Sequence, residues 1–128
     1  MRTVKTGDPV TGIYKTGKYI GEITEERPQH YLIKVKAVIK HPTQGDLHNP
    51  NKVEVPIFHE RRALAENEQT NIPKGMVKPY EGSLPDYKES LKLSLKNQLD
   101  ELEQKNTPWS RKSKETLLSL KKDYFSKD

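Results

Sequence analysis

The fold is decided by residues 7–24, which read GDPVTGIYKTGKYIGEIT. Valine, isoleucine and tyrosine favour β-strands, and in this stretch glycines separate them at intervals of four or five residues. Residues 15–18, KTGK, lie between two tyrosines and have the composition of a hairpin turn, in which Gly17 can take a positive φ. Gly21 inside the second strand indicates a bulge or a strong bend. The stretch therefore predicts a tightly curved β-hairpin.

The strand pattern continues along the first 80 residues of the chain. Residues 31–40, YLIKVKAVIK, alternate between apolar residues and lysines, which is typical of a strand with one buried face. Further extended segments are predicted at residues 53–58, where Pro56 indicates an edge strand, at residues 63–68, and in residues 71–80. The side chains of residues 31–40 that should face the core are those of Ile33, Val35, Ala37 and Ile39.

About five short strands joined by Gly and Pro turns predict a small barrel. The glycine-punctuated opening of the chain resembles the first strands of SH3-like barrels, because highly curved strands need glycine where the sheet bends. We therefore predict a mostly β protein with an α appendage. A five-stranded SH3-like barrel should occupy residues 1–82, and an antiparallel helical hairpin in residues 83–128 should pack on it.

The C-terminal third of the chain changes to a helical period. Ser83 or Asp86 can cap a first helix with Pro85 in its first turn, and Thr107 can cap a second helix that begins at Pro108. Apolar residues recur at steps of three and four in the first helix, and a second stripe follows Pro108. The first stripe is Tyr87, Leu91, Leu95, Leu99 and Leu102, and the second is Trp109, Leu117, Leu120 and Tyr124, with Leu118 and Phe125 beside it.

The composition excludes several classes of site. The chain has no cysteine, which excludes disulfides, thiolate metal sites and lipid attachment through a cysteine. No stretch approaches the roughly 18 apolar residues of a membrane span, and the first residues lack the apolar run of a signal peptide. We expect a cytoplasmic protein without direct membrane insertion. The net charge of +5 is spread over the chain without a basic block.

Residues 41–51, HPTQGDLHNPN, contain the side chains that could form a chemical site. His41, Asp46 and His48, with His59 nearby, could act as nitrogen and oxygen ligands of zinc or manganese in a metal-dependent enzyme. The proline, glycine and asparagine residues between them instead indicate two turns in a polar connection. No metal-ligand or nucleophile motif is present. We therefore predict no enzyme, no metal and no cofactor.

Two other groups of residues could contact a partner. The side chains that could line one groove of the barrel are those of Tyr14, Lys15, Lys18, Tyr19 and Tyr31. Several of these tyrosines could instead fill the rim of the core with their hydroxyls in water. Residues 58–62, FHERR, could form a recognition loop or a charged turn anchored by its phenylalanine.

Several quoted segments of this chain resemble the kinase-associated protein B family of spore-forming Gram-positive bacteria. The similarity covers nearly the whole chain, and its longest motif surrounds the histidine-containing loop. The segments are YKTGKYIGEI (14–23), RPQHYLIKVKAV (27–38), HPTQGDLHNP (41–50), VPIFHERRALA (55–65), NEQTNIP (67–73) and PDYKESL (85–91).

The resemblance implies a non-enzymatic accessory protein that helps a sensor histidine kinase feed the sporulation phosphorelay through protein contact. Any membrane proximity would then come through this partner at the inner face of the membrane, and the helical hairpin could equally pair with a second copy. The alternative is a barrel that binds RNA or DNA through a basic and aromatic face, although nucleic acid is not the expected partner. The candidate partner-binding residues are His41, Gln44, Asp46, His48, Asn49, Phe58, His59, Glu60, Arg61, Tyr14, Lys15, Lys18 and Tyr19.

Overall fold

The computed structural model describes residues 4–45 and 60–125. They form five strands, a short 3-10 helix and two α-helices. Neither of the two helices combines the length and the apolar character that crossing a membrane requires. The elements in chain order are β1 Pro9–Tyr14, β2 Gly17–Glu26, β3 His30–Lys40, β4 Gln69–Pro73, the 3-10 helix Lys74–Met76, β5 Val77–Pro79, α1 Tyr87–Lys105 and α2 Pro108–Tyr124.

The strands form one antiparallel sheet in the order β4-β3-β2-β1-β5. The sheet curls so far that β1 packs against β4, although two strands separate them in the sheet. At this contact a Cβ atom on Gly12 would lie 2.7 Å from the Ile72 Cδ1 atom, so a larger residue would require the buried Ile72 side chain to shift. The predicted five-stranded arrangement followed by two helices is confirmed. Within the described residues, the outer strands are not joined by a ladder of hydrogen bonds, so the sheet is not a closed barrel.

The bends in the sheet differ from the predicted ones at two places. Gly21 lies at a register shift between β2 and β3, as expected, because β3 approaches its backbone closely. The positive φ in the β1–β2 turn belongs to Lys15 (φ 55°) and not to Gly17, which is buried in β2. A second register shift, between Lys18 and Tyr19, exchanges the buried and exposed positions at the end of β3. Val38 is therefore buried, and Ile39 is 40% exposed where the alternation predicted a core residue.

The predicted strand at residues 63–68 does not form, and the following turn has Asn67 at φ 68°. Asn67 and Glu68 exchange backbone hydrogen bonds with Val35 of β3, whereas the backbone of residues 63–65 is bound by side chains. The predicted segment at residues 53–58 lies outside the described residues.

The helices begin as their capping residues indicate. Asp86 accepts a hydrogen bond from Glu89 N, so it caps α1, and Pro85 lies before the helix rather than in its first turn. Thr107 and Ser110 form a capping box at the start of α2, with Pro108 as its first residue. α1 packs on β3 and α2 packs on α1.

One hydrophobic cluster joins the sheet to both helices, and a second lies inside the curled sheet. The division of the chain after residue 82 stays a prediction. The buried residues of the first cluster are Tyr19, Val35, Val38, Leu91, Leu95, Leu102, Trp109, Leu117 and Leu120, and those of the second are Val10, Ile23, Tyr31, Ile33 and Ile72.

Candidate functional site

Five of the predicted contact residues line one cleft of about 330 Å³, which we call the hairpin cleft. Tyr14, Lys15 and Tyr19 come from the β1–β2 hairpin, and Glu60 and Arg61 come from the segment that leads towards β4. The sequence separates these two groups by about 40 residues, and the fold brings them together. The remaining lining residues are Pro42, Arg62, Leu64 and Glu68.

The hairpin residues differ in what they offer to a partner. Lys15 is exposed, and its ammonium lies 5.5 Å from the centre of the half-buried Tyr14 ring, within reach of a cation–π contact. Tyr19 is only 1% exposed, and its hydroxyl accepts a hydrogen bond from Leu64 N at 3.3 Å. Burial raises the pKa of Tyr19 to about 12. Lys18 does not line the cleft.

His41 is an internal hydrogen-bonding group. It is fully buried, its Nδ1 lies 3.0 Å from Pro42 O, and its Nε2 lies 3.0 Å from the Tyr124 hydroxyl. Because a carbonyl can only accept, Nδ1 carries the proton and Nε2 accepts from the tyrosine. Burial lowers the pKa of His41 to about 4, so the ring is neutral at neutral pH. This corrects the expectation of an exposed contact, since a fully buried ring cannot touch a partner.

Gln44 is also buried, and it holds two distant parts of the chain together. Its Nε2 donates to Pro42 O and to Arg61 O, both at 3.0 Å, and its Oε1 accepts from Arg61 N at 2.8 Å. Arg61 Nε in turn donates to Gly45 O at 3.2 Å. Gln44 therefore positions the cleft residue Arg61 and is not itself a contact surface, which is a second correction.

The other predicted site residues are not described by the structure. Their candidate roles stay predictions, including any part in a metal site. Among residues 4–45 and 60–125, no group of three histidine, aspartate or glutamate side chains could hold a metal ion. The residues outside these ranges are Asp46, His48, Asn49, Phe58 and His59.

Residues 61–65, which we call the strap, are bound by side chains that the sequence did not single out for this role. The Tyr124 hydroxyl accepts from Ala63 N at 2.8 Å, and the Tyr87 hydroxyl donates to Leu64 O at 2.6 Å. Both tyrosines belong to the apolar stripes of the helices, so the sequence indicated their burial but gave no signal for their hydrogen bonds. With Gln44 and Tyr19, four side chains from separate parts of the fold bind the strap backbone.

The strap also separates the hairpin cleft from a larger groove of about 640 Å³. Tyr87, Tyr124 and Phe125 form aromatic walls of this groove at the start of α1 and the end of α2. Arg62 lies over the Tyr124 ring at 5.0 Å and forms an ion pair with Asp123. The arrangement therefore offers two adjacent concave surfaces lined in part by aromatic and arginine side chains, which are enriched at protein interfaces.

Comparison with known proteins identifies relatives over nearly the whole chain. The family model described as "Kinase associated protein B" matches residues 14–125. The kinase-associated lipoprotein B of Bacillus subtilis (strain 168) is 55% identical over 127 residues, which cover 99% of each protein. The crystal structure of kinase-associated protein B from Bacillus cereus has a TM-score of 0.81 and 52% sequence identity, and the match covers 95% of this chain and 98% of that chain. With this identity and coverage, the chain belongs to the kinase-associated protein B family.

Proposed function

We propose that this chain is a non-enzymatic accessory protein that binds a sensor histidine kinase and promotes the transfer of phosphate into the sporulation phosphorelay. The observation that carries the proposal is the similarity over nearly full length to proteins named for their association with a kinase. Those names describe a protein that accompanies a kinase, which favours a role in contact over a role in chemistry.

The hairpin cleft is the surface that we assign to this contact. Lys15, Glu60 and Arg62 are exposed around it, and Tyr14 is half-buried at its rim. Aromatic and arginine side chains of this kind are enriched at protein interfaces. Gln44 supports the cleft from inside by binding the strap, and His41 does so indirectly by accepting a hydrogen bond from the Tyr124 hydroxyl that binds Ala63 N.

The proposal is tested with purified protein and the cytoplasmic part of a sensor histidine kinase from the same host. We expect a complex by calorimetry or sedimentation and a faster transfer of phosphate from the kinase to its response regulator when this protein is added. The double substitution Tyr14→Ala and Lys15→Glu should weaken binding about tenfold or more, because it removes an aromatic contact and reverses a charge. Lys5→Glu and Thr6→Ala, at exposed positions outside the cleft, provide the matched control.

A failure of the wild-type protein to bind any sensor kinase of the host, with phosphate transfer unchanged, would refute the proposed function. Binding that survives the double substitution would refute only the assignment of the hairpin cleft.

A further inference from the structure

Lysines from both helices lie along one edge of the helical hairpin. On α1, Lys88, Lys92 and Lys96 follow one another at four-residue steps, so they share one face of the helix. On α2, a second face has steps of four, three and four residues. It consists of Lys114, Leu118 and Lys121, and it continues to Phe125, the residue that follows α2.

Two contacts show that these faces lie side by side along the hairpin. Near the start of α1, the Lys92 ammonium lies 5.2 Å from the centre of the Phe125 ring. Towards the other end, the Lys114 ammonium lies 3.3 Å from the Glu103 carboxylate. The two faces therefore form one continuous strip, which we call the basic edge.

The charge of the basic edge is polarised along its length. Lys92 and Lys96 lie in the first half of α1 and Lys121 lies in the last turn of α2, and all three side chains are exposed. Asp100 and Glu103 follow in the second half of α1, where Lys114 forms an ion pair with Glu103, so this end of the strip carries two carboxylates and one ammonium.

Helix stability explains only a part of this arrangement. A lysine in the last turn of a helix offsets the negative end of the helix dipole, which accounts for Lys121. Lys92 and Lys96 lie inside α1, where the dipole gives no preference of this kind. Apolar surface accompanies the charges, because Leu118 is 47% exposed between Lys114 and Lys121.

The polarised pattern indicates a protein as the occupant. A nucleic acid carries uniform negative charge, and the carboxylate of Asp100 would repel it at the end of the strip where Glu103 is paired with Lys114. A membrane-binding face needs a broad apolar surface, whereas Leu118 is the single large apolar residue of this strip that is strongly exposed among the described residues. A protein helix can match both ends, with carboxylates opposite the lysines and a basic residue opposite the acidic end.

We propose that the basic edge is a docking surface for an acidic helix face of the partner kinase, an inference that rests on the proposed function. The stretch from Lys88 to Lys96 spans about 12 Å along the axis, so it matches about two turns of a partner helix. The apolar contact comes from Leu118 and from the half-buried Phe125, and the lysines set the orientation of the partner and the rate of its approach.

The test compares two variants with the same change of charge. The edge variant carries Lys92→Glu, Lys96→Glu and Lys121→Glu. The control variant carries Lys5→Glu, Lys78→Glu and Lys112→Glu at exposed positions away from the edge, Lys112 being on another face of α2. Binding of the cytoplasmic part of the kinase is measured by calorimetry at low and high ionic strength. The edge variant should bind at least about tenfold more weakly, the control within about twofold, and wild-type binding should weaken with salt.

A milder variant guards against a folding defect. This variant replaces Lys92, Lys96 and Lys121 with glutamine, which is also a good helix former. It should lose a smaller part of the affinity for the kinase, and its circular dichroism spectrum should be unchanged. Equal kinase binding by the wild-type protein and the edge variant would overturn this inference while the proposed function stands. Absence of wild-type binding to the kinase would overturn both.

Two other results would overturn the proposal by assigning the basic edge to a different partner. Co-sedimentation of the protein with phosphatidylglycerol vesicles, lost in the edge variant while kinase binding is retained, would assign the strip to a membrane. A change from dimer to monomer in the edge variant, seen by analytical ultracentrifugation, would assign it to a second copy of this chain.

Discussion

The two halves of β3 satisfy their backbone groups in different ways. From His30 to Lys34, the strand pairs with β2 on one side and with β4 on the other. Backbone hydrogen bonds to residues 67 and 68 extend this second side as far as Val35. Beyond that point, side chains of α1 take the place of a neighbouring strand.

Two side chains of α1 bind the backbone of the second half of β3 and of His41, the residue that follows it. Ser90 Oγ accepts a hydrogen bond from Val38 N at 3.0 Å, and Gln98 Nε2 donates to His41 O at 2.8 Å. A ladder between strands uses backbone groups that every residue other than proline provides, so it tolerates many substitutions. A backbone group that depends on one side chain loses its partner when that side chain changes. The half of β3 beside the hairpin cleft should therefore be the more sensitive to single substitutions.

The largest effect is expected where packing holds α1 against this half. Leu95→Ala removes a side chain that is 1% exposed in the cluster joining the sheet to the helices. The free energy of unfolding should fall by about 2–5 kcal/mol, because the substitution removes apolar contacts and leaves a cavity. Urea denaturation measures this change. Leu93→Ala on the same helix, where the side chain is 59% exposed, should cost less than about 0.5 kcal/mol, and similar losses for both would refute the assigned core.

A second effect comes from the pKa of His41 and appears on acidification. The pKa is lowered from 6.5 to about 4 in the folded protein, so the unfolded chain binds more protons between these values. The contribution of His41 to the free energy of unfolding is therefore fully present above about pH 6.5. It decreases as the pH falls, by about 3 kcal/mol at pH 4. Urea denaturation at pH 6.5 and 5 should give a smaller difference for His41→Gln than for the wild-type protein. Equal pH dependence of the two would contradict the buried, neutral histidine.

Tyr124→Phe tests the attachment of the strap. The substitution leaves Ala63 N without its acceptor and His41 Nε2 without its donor. We expect a loss of about 1–3 kcal/mol in the free energy of unfolding, and faster amide exchange at Ala63. Tyr80→Phe is the matched control, because its exposed hydroxyl donates only to Ser83 O and its removal should cost less than about 0.5 kcal/mol. Slow exchange at Ala63 in Tyr124→Phe would show that the strap is held by other means.

The smallest predicted difference separates two buried serines of α1. Ser90→Ala leaves Val38 N without a partner and should cost about 1 kcal/mol. The Ser94 hydroxyl donates only to Leu91 O within its own helix, so Ser94→Ala should be nearly neutral or slightly stabilising. The two free energies of unfolding can be compared by urea denaturation. A larger cost at Ser94 would argue against a difference between the two halves of β3.

The elements with strong local signals were predictable. Asp86, Thr107 and Pro108 mark the helix starts because capping depends on neighbouring residues alone, and the Leu stripes mark the buried faces. The reversal at Val38 and Ile39 was not predictable, because a register shift depends on the strand opposite. Residues 63–65 of the strap were predicted to begin a strand, because their apolar composition is the same whether the backbone pairs with a strand or with tyrosine side chains.

The residues of the candidate site also differ in whether the sequence could predict their role. Tyr14, Lys15 and Arg61 could be named as candidates from their residue types, since tyrosine and arginine are enriched among contact residues. The burial of His41 and Gln44 could not be read from the polar segment that contains them, because it depends on the Tyr124 hydroxyl and on the backbone of Arg61.

The sequence by itself determined the first three strands, the two helices, the caps, the curvature at Gly21 and the family of the protein, because these depend on short-range geometry and on residues compared one by one. Only the tertiary structure decided which polar groups are buried and which face water. Hydrogen bonds such as that from Tyr124 to His41 join residues far apart in the chain, and no local pattern records them. The hairpin cleft depends on hydrogen bonds of this kind, because Gln44 and Tyr19 bind the strap backbone and so hold its residues beside the β1–β2 hairpin.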